Sequence, residues 1–89
     1  MYQLIFDKKS LEELNKLDGE IKERIWKKLQ LCKENPFRFV EKLTEIEGFK
    51  LRVGDYRAIL HINSSKKVII VEKVGHRKNI YDGCKFDGF

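Results

Sequence analysis

The stretch LRVGDYRAIL, residues 51–60, constrains the fold more than any other part of the chain. Apolar and polar residues alternate on both sides of Gly54-Asp55, a dipeptide suited to a tight turn. Two strands are therefore predicted, roughly 48–53 and 55–62, joined as a hairpin. In the second strand Tyr56, Ala58, Leu60 and Ile62 fall on one face, and Arg57 and His61 on the other. In the first, Phe49, Leu51 and Val53 alternate with Lys50 and Arg52. Successive side chains of a strand point to opposite faces. Pairing through the turn then puts Lys50, Arg52, Arg57 and His61 together on the face away from the core.

A third strand is predicted over 67–74, after the turn residues Asn63-Ser64-Ser65. It is apolar on both faces at Val68–Val71, as a central strand would be. Short connections make the three strands an antiparallel meander. The third strand delivers Gly75, His76, Arg77 and Lys78 at its end. The segment 77–82 is compatible with a turn, a short strand or one helical turn.

The N-terminal half reads differently. YQLIF is a short first strand. Ser10 followed by Glu13 has the spacing of a capping box. Leu11, Leu14 and Leu17 continue at helical spacing, so a helix is predicted over 10–17. Asp18-Gly19 breaks it. A second helix carries Ile21, Ile25, Leu29 and Cys32 on one face and stops at Asn35-Pro36. Its lysines suit a solvated face, and Trp26 suits the core or a partner contact. Residues 36–48 have no clear period and are predicted as a loop with room for a short strand. The expected fold class is α+β: an N-terminal strand, an antiparallel helical hairpin, then an antiparallel β-meander. Helices on one side of the sheet leave the other side open.

Eighty-nine residues are expected to form a single domain, 1–89, with a modest core. The net charge is +5, and it is uneven. Residues 1–36 hold eight Lys/Arg against seven Asp/Glu, whereas 37–89 hold eleven against seven. A basic C-terminal half suits a polyanionic or acidic partner, although +5 is also compatible with ordinary solubility. The longest apolar run is the four residues Val68–Val71, far below the roughly 20 of a membrane span. The start of the chain does not resemble a signal peptide. Cys32 and Cys84 form no metal-binding pattern and are expected to be reduced thiols, so a cytoplasmic location is predicted.

The pattern is poor in other chemistries. No carboxylates are paired in a suggestive setting, and neither histidine has the partners of a metal site. Gly48, Gly54 and Gly75 stand singly, so there is no glycine-rich phosphate loop. Basic residues and tyrosines remain, which suits a phosphodiester.

Together, KLRVGDYRAIL and VIIVEKVGHRKNIY resemble the RelE/ParE superfamily of toxins from prokaryotic toxin–antitoxin systems. The order of elements agrees, and the resemblance covers nearly the whole chain. It implies a toxin restrained by a cognate RelB-like antitoxin that wraps around it. RelE-like members are endoribonucleases that cut mRNA in the ribosomal decoding site, with no metal or cofactor. ParE-like members poison DNA gyrase instead, and a non-catalytic nucleic-acid-binding domain is a third reading.

For the nuclease, the resemblance implies that Tyr81 is the base for the ribose 2′-OH. Lys50, Arg57 and Arg77 would lower its pKa and face the phosphate. Arg57 would hold the scissile phosphate, Arg77 would protonate or stabilise the leaving oxygen, and Lys50 would steady developing charge. Arg52, His61 and Lys78 would contact RNA. His76 is the alternative acid or base. Two departures stand out. Gly48 occupies a position where some relatives carry a lysine, and Arg77 to Tyr81 is a tighter spacing than in the best-known members.

Overall fold

The computed structural model describes residues 1–44 and 47–78. Strand β1, Gln3–Phe6, opens the chain, followed by helices α1, Lys8–Asn15, and α2, Gly19–Cys32. A 3-10 turn, Pro36–Arg38, leads into β2, Val40–Lys42. Strands β3, Phe49–Val53, β4, Tyr56–Asn63, and β5, Val68–His76, complete a single sheet in the order β1-β5-β4-β3-β2. The meander β3-β4-β5 is antiparallel, and β1 joins β5 in parallel. The two helices carry the chain across the sheet from β1 at one edge to β2 at the other, and the meander then returns to place β5 beside β1. The α+β class and the order of elements agree with the sequence reading, and β5 is indeed flanked on both sides. Of the segment 77–82, Arg77 and Lys78 form a turn and the rest lies outside the described residues.

The helices pack on one side of the sheet. Leu14, Ile25, Leu29 and Cys32 meet Leu51, Val53, Ala58, Leu60, Ile69, Val71 and Val74. Ile25, Leu29 and Cys32 recur at the spacing that faces a sheet, and each is essentially inaccessible.

The start of α1 differs from its sequence reading. Asp7 is the N-cap, and its carboxylate accepts the Ser10 amide at 2.9 Å. Asp caps as well as Ser does, which frees Ser10 and Glu13 for contacts with the sheet. The buried Ser10 hydroxyl lies 2.6 Å from the Val71 carbonyl, and Glu13 Oε1 accepts the Val74 amide at 3.0 Å. Ser10 and Leu14 therefore form the buried stripe of α1. Leu11, about 100° further round the helix, stays 43% exposed.

Those contacts surround an irregularity in β5. Leu60 pairs with Val71, but Ile59 pairs with Lys73. Residue 72 is thus one extra residue on β5, a β-bulge. Val71 and Val74 both face the core, three positions apart, where plain alternation would have sent residue 73 inward. The bulge turns Lys73 and Gly75 to the open face and His76 to the helix side.

The β3–β4 turn has two residues, with φ +59° at Gly54. Glycine with positive φ in the first loop position is the pattern of a type II′ hairpin, whose twist matches the strands. A side chain there would also crowd Arg24 of α2, whose Nη2 lies 3.1 Å from where a Cβ would be.

Candidate nucleic-acid interface

Sheet register builds a cationic surface on the face without helices. Lys50, Ile59 and Lys73 form one row across β3, β4 and β5, and Arg52, Arg57 and Gly75 form the next. Ile59 is only 3% exposed, so the lysines flank a buried apolar floor. Arg52 and Arg57 are directly opposite, which places their Cβ atoms about 5 Å apart. Like charges opposed in this way oppose folding, by roughly 0.2–1 kcal/mol. An anion bound between them would reverse that penalty.

Local contacts set each group. Arg57 Nη1 donates to the carbonyls of Gly54 at 2.8 Å and Tyr56 at 2.9 Å, so its guanidinium is folded onto its own turn. The remaining donors can grip a phosphate in bidentate fashion. Among the described residues, neither Lys50 nor Arg57 has a carboxylate within ion-pair distance. Arg52 is 3.8 Å from Glu41 and His61 is 3.5 Å from Glu47, both at exposed positions. Such contacts are weak, and a polyanion can displace them. The Arg77 amide donates to the Asp55 carbonyl at 2.7 Å, and its Nε lies 3.6 Å from the Asp55 carboxylate. These contacts hold Arg77 beside the β3–β4 turn, as Arg57 is held there by its own carbonyl bonds. Lys78 follows in the turn after β5.

The structure separates His76 from this set. His76 pairs with Tyr56, and the two rings meet edge to face at 5.2 Å. Both lie in the file of Ala58 and Val74, on the helix side. The physical cause is the bulge, which reverses the alternation of β5 before His76. Tyr81 lies outside the described residues, as does Cys84.

Lys73 was not singled out by sequence reasoning, because Val68–Val71 made β5 look uniformly buried. Its signal was faint: Glu72-Lys73 interrupts an apolar strand, as a bulge often does.

Cys32 is completely buried, and burial pushes its thiol up to about 11, against the opposing effect of the Lys28 charge. Below the ordinary value of 9.0 the thiol is protonated whether the chain is folded or not. Between that value and about 11 the unfolded thiol ionises first, so the folded chain binds more protons. Stability should therefore fall as pH rises through this window. Denaturant titrations should show the fall in the parent chain and a smaller one in Cys32→Ala. The folded chain should also resist alkylation near neutral pH. Rapid modification of Cys32 without unfolding would contradict its burial.

A family model for the ParE toxin of type II toxin–antitoxin systems, parDE, matches residues 4–81. The chain belongs to this toxin family. The mRNA interferase toxin RelE of Escherichia coli K12 is 34% identical over 80 residues, covering 86% of this chain and 84% of that protein. The toxin in the crystal structure of the intact E. coli RelBE toxin–antitoxin complex superposes with a TM-score of 0.71 at 32% identity. That match covers 85% of this chain and 96% of the other. The RelBE2 toxin–antitoxin complex of Mycobacterium tuberculosis gives a TM-score of 0.78 over 85% of this chain and 98% of the other. At 24% identity it speaks to the fold alone. Among the described residues, no helix is long and apolar enough to cross a membrane.

Proposed function

We propose that this toxin cleaves mRNA on the ribosome and is restrained by a RelB-like antitoxin. The observation that carries the reading is the open-face cluster of Lys50, Arg52, Arg57 and Lys73, arranged in two adjacent rows across three strands. The similarity to a protein named mRNA interferase supports it.

In the proposed reaction the ribose 2′-oxygen forms a bond to the adjacent phosphorus as its proton passes to a base. The P–O5′ bond breaks, and the leaving oxygen takes up a proton. The products are a 2′,3′-cyclic phosphate and a 5′-hydroxyl. No step is routed through a metal. Negative charge builds on the non-bridging oxygens, where Arg57 and Lys50 offer fixed cations. Arg77, beside the same turn, is assigned to the leaving oxygen. Tyr81 is assigned as the base through its resemblance to RelE-like toxins. A phenol with a pKa near 10 serves only if cations hold it ionised, which a cluster of this kind can do.

Lys73 supplies a charge to a surface that has Gly48 in place of a lysine. Lys73→Gln is expected to lower cleavage about tenfold, the scale of one lost hydrogen bond to a charged group. Single-turnover cleavage on programmed ribosomes measures it, and an unchanged rate removes Lys73 from the site.

For the antitoxin, a shallow cavity of about 440 Å³ at the helical hairpin is lined by Leu14, Gly19, Lys22, Glu23 and Trp26. Trp26 is 46% exposed, although its ring stacks on Phe6. An apolar anchor from the antitoxin would seat there.

The deciding experiment induces the toxin in cells and maps RNA ends by primer extension. Ends within codons of translated mRNA are expected. The description of the family as parDE toxins, together with Gly48, favours a second reading, DNA gyrase poisoning. Gyrase-linked DNA breaks with intact mRNA would establish that reading in place of the first.

A further inference from the structure

The cationic surface does not end at the sheet. Strand β2 pairs only Val40–Lys42 with Leu51–Phe49, so Arg52 and Val53 lie beyond its reach on the edge of β3. Helix α2 runs alongside that edge. Between them lies a groove of about 300 Å³, lined by Arg24, Lys27, Lys28, Leu31, Arg52, Val53 and Gly54. Four of these seven residues are cationic and none is acidic. The glycine at position 54 lets the Arg24 guanidinium lie against the turn. Lys28 is held over the Phe39 ring, with Nζ 5.7 Å from its centroid. Lys27 has an exposed ion pair with Glu23 at 3.1 Å, one that a stronger anion can displace.

We infer that this groove is a second phosphate-binding site, which takes the backbone of the RNA strand running off the sheet face. Arg52 is the link, because it belongs both to the row with Arg57 and to the groove. A polyanion on the open face therefore passes round the free edge of β3 onto α2 without leaving positive potential. The sites differ in task. The sheet face holds the reacting phosphate, whereas the groove holds flanking phosphates and carries no sequence information. The inference rests on the RNA-cleaving reading for its ligand, but its test measures binding alone.

The test compares the parent chain with Lys27→Ala/Lys28→Ala across a salt series, using a trinucleotide and a long single-stranded homopolymer. Each phosphate contact to a single strand contributes about 0.7 to the slope of log affinity against log salt. The double variant should lose about 1.4 of slope on the long RNA and none on the trinucleotide. The Lys27→Arg/Lys28→Arg variant, which keeps both charges, should retain the parent slope and serves as the control for charge, while the unchanged trinucleotide slope of the double alanine variant shows that it is folded. An unchanged slope on the long RNA overturns the inference. So does an intact RNA slope with weakened antitoxin affinity, which would assign the groove to an acidic protein segment. Failure of the cleavage reading would appear separately, as an Arg57→Ala variant that cuts mRNA normally.

Discussion

Arg57→Ala is expected to slow mRNA cleavage on ribosomes by about 10²–10³-fold, or roughly 3–4 kcal/mol of barrier. The loss is large because a cation is removed where charge develops on phosphorus, next to Arg52 and diagonal to Lys50 and Lys73. Folding should survive. The bonds lost are those of Arg57 Nη1 to the Gly54 and Tyr56 carbonyls, at the solvent-facing end of a hairpin. Thermal melting should shift by only a few degrees. Arg57→Lys should recover part of the rate, because it keeps the charge and loses the planar fork. His76→Ala provides the contrast. His76 lies on the helix side against Tyr56, so its loss should leave cleavage largely intact. Full activity in Arg57→Ala, in protein shown to be folded, would remove the open face from the chemistry.

The second large effect is structural. Leu60→Ala is expected to destabilise the chain by about 2–5 kcal/mol. Leu60 is fully buried on β4, the middle strand, between Phe49 of β3 and Val71 of β5. Truncation there opens a cavity bounded by two strands and the helices, which cannot all close in to fill it. A chain of this size has a total stability of only about 4–13 kcal/mol. The melting temperature should therefore drop by about 10–30 °C, and toxicity should fall with the amount of folded protein. Calorimetry settles it, and a shift of less than a few degrees would mean that the core is not organised around β4.

The two substitutions lie three positions apart on one strand, and their opposite consequences were legible in the sequence. Alternation alone separated Ala58 and Leu60 from Arg57, and Leu51 and Val53 from Lys50 and Arg52. The reason is local. A strand has a period of two, and Gly54-Asp55 specifies a two-residue turn, so neighbours along the chain determine which side chains share a face. The helical hairpin was legible for the same reason, through Ile25, Leu29 and Cys32 at helical spacing. The family resemblance rested on these same local stretches.

Other features depended on partners distant in sequence. Plain alternation from Ile69 and Val71 would place Lys73 in the core and His76 on the open face. The folded chain does the reverse, because β5 has one more residue than β4 between Ile59 and Leu60. Whether an extra residue is accommodated depends on the register of the neighbouring strand and on a partner for the displaced backbone. Here the Val74 amide finds Glu13, sixty-one positions away on α1. The capping-box spacing had assigned Glu13 to its own helix, but Asp7 caps that helix and leaves Glu13 free for the sheet. The groove along α2 arises in the same way, since β2 is too short to cover Arg52 and the helix adjoins the exposed edge. Local pattern thus determined the strands, the helices and the faces of β3 and β4. The placement of Lys73 on the open face, that of His76 on the helix side and the adjoining of the basic groove to α2 were decided by tertiary structure, because a bulge and a free strand edge exist only once the strands are paired.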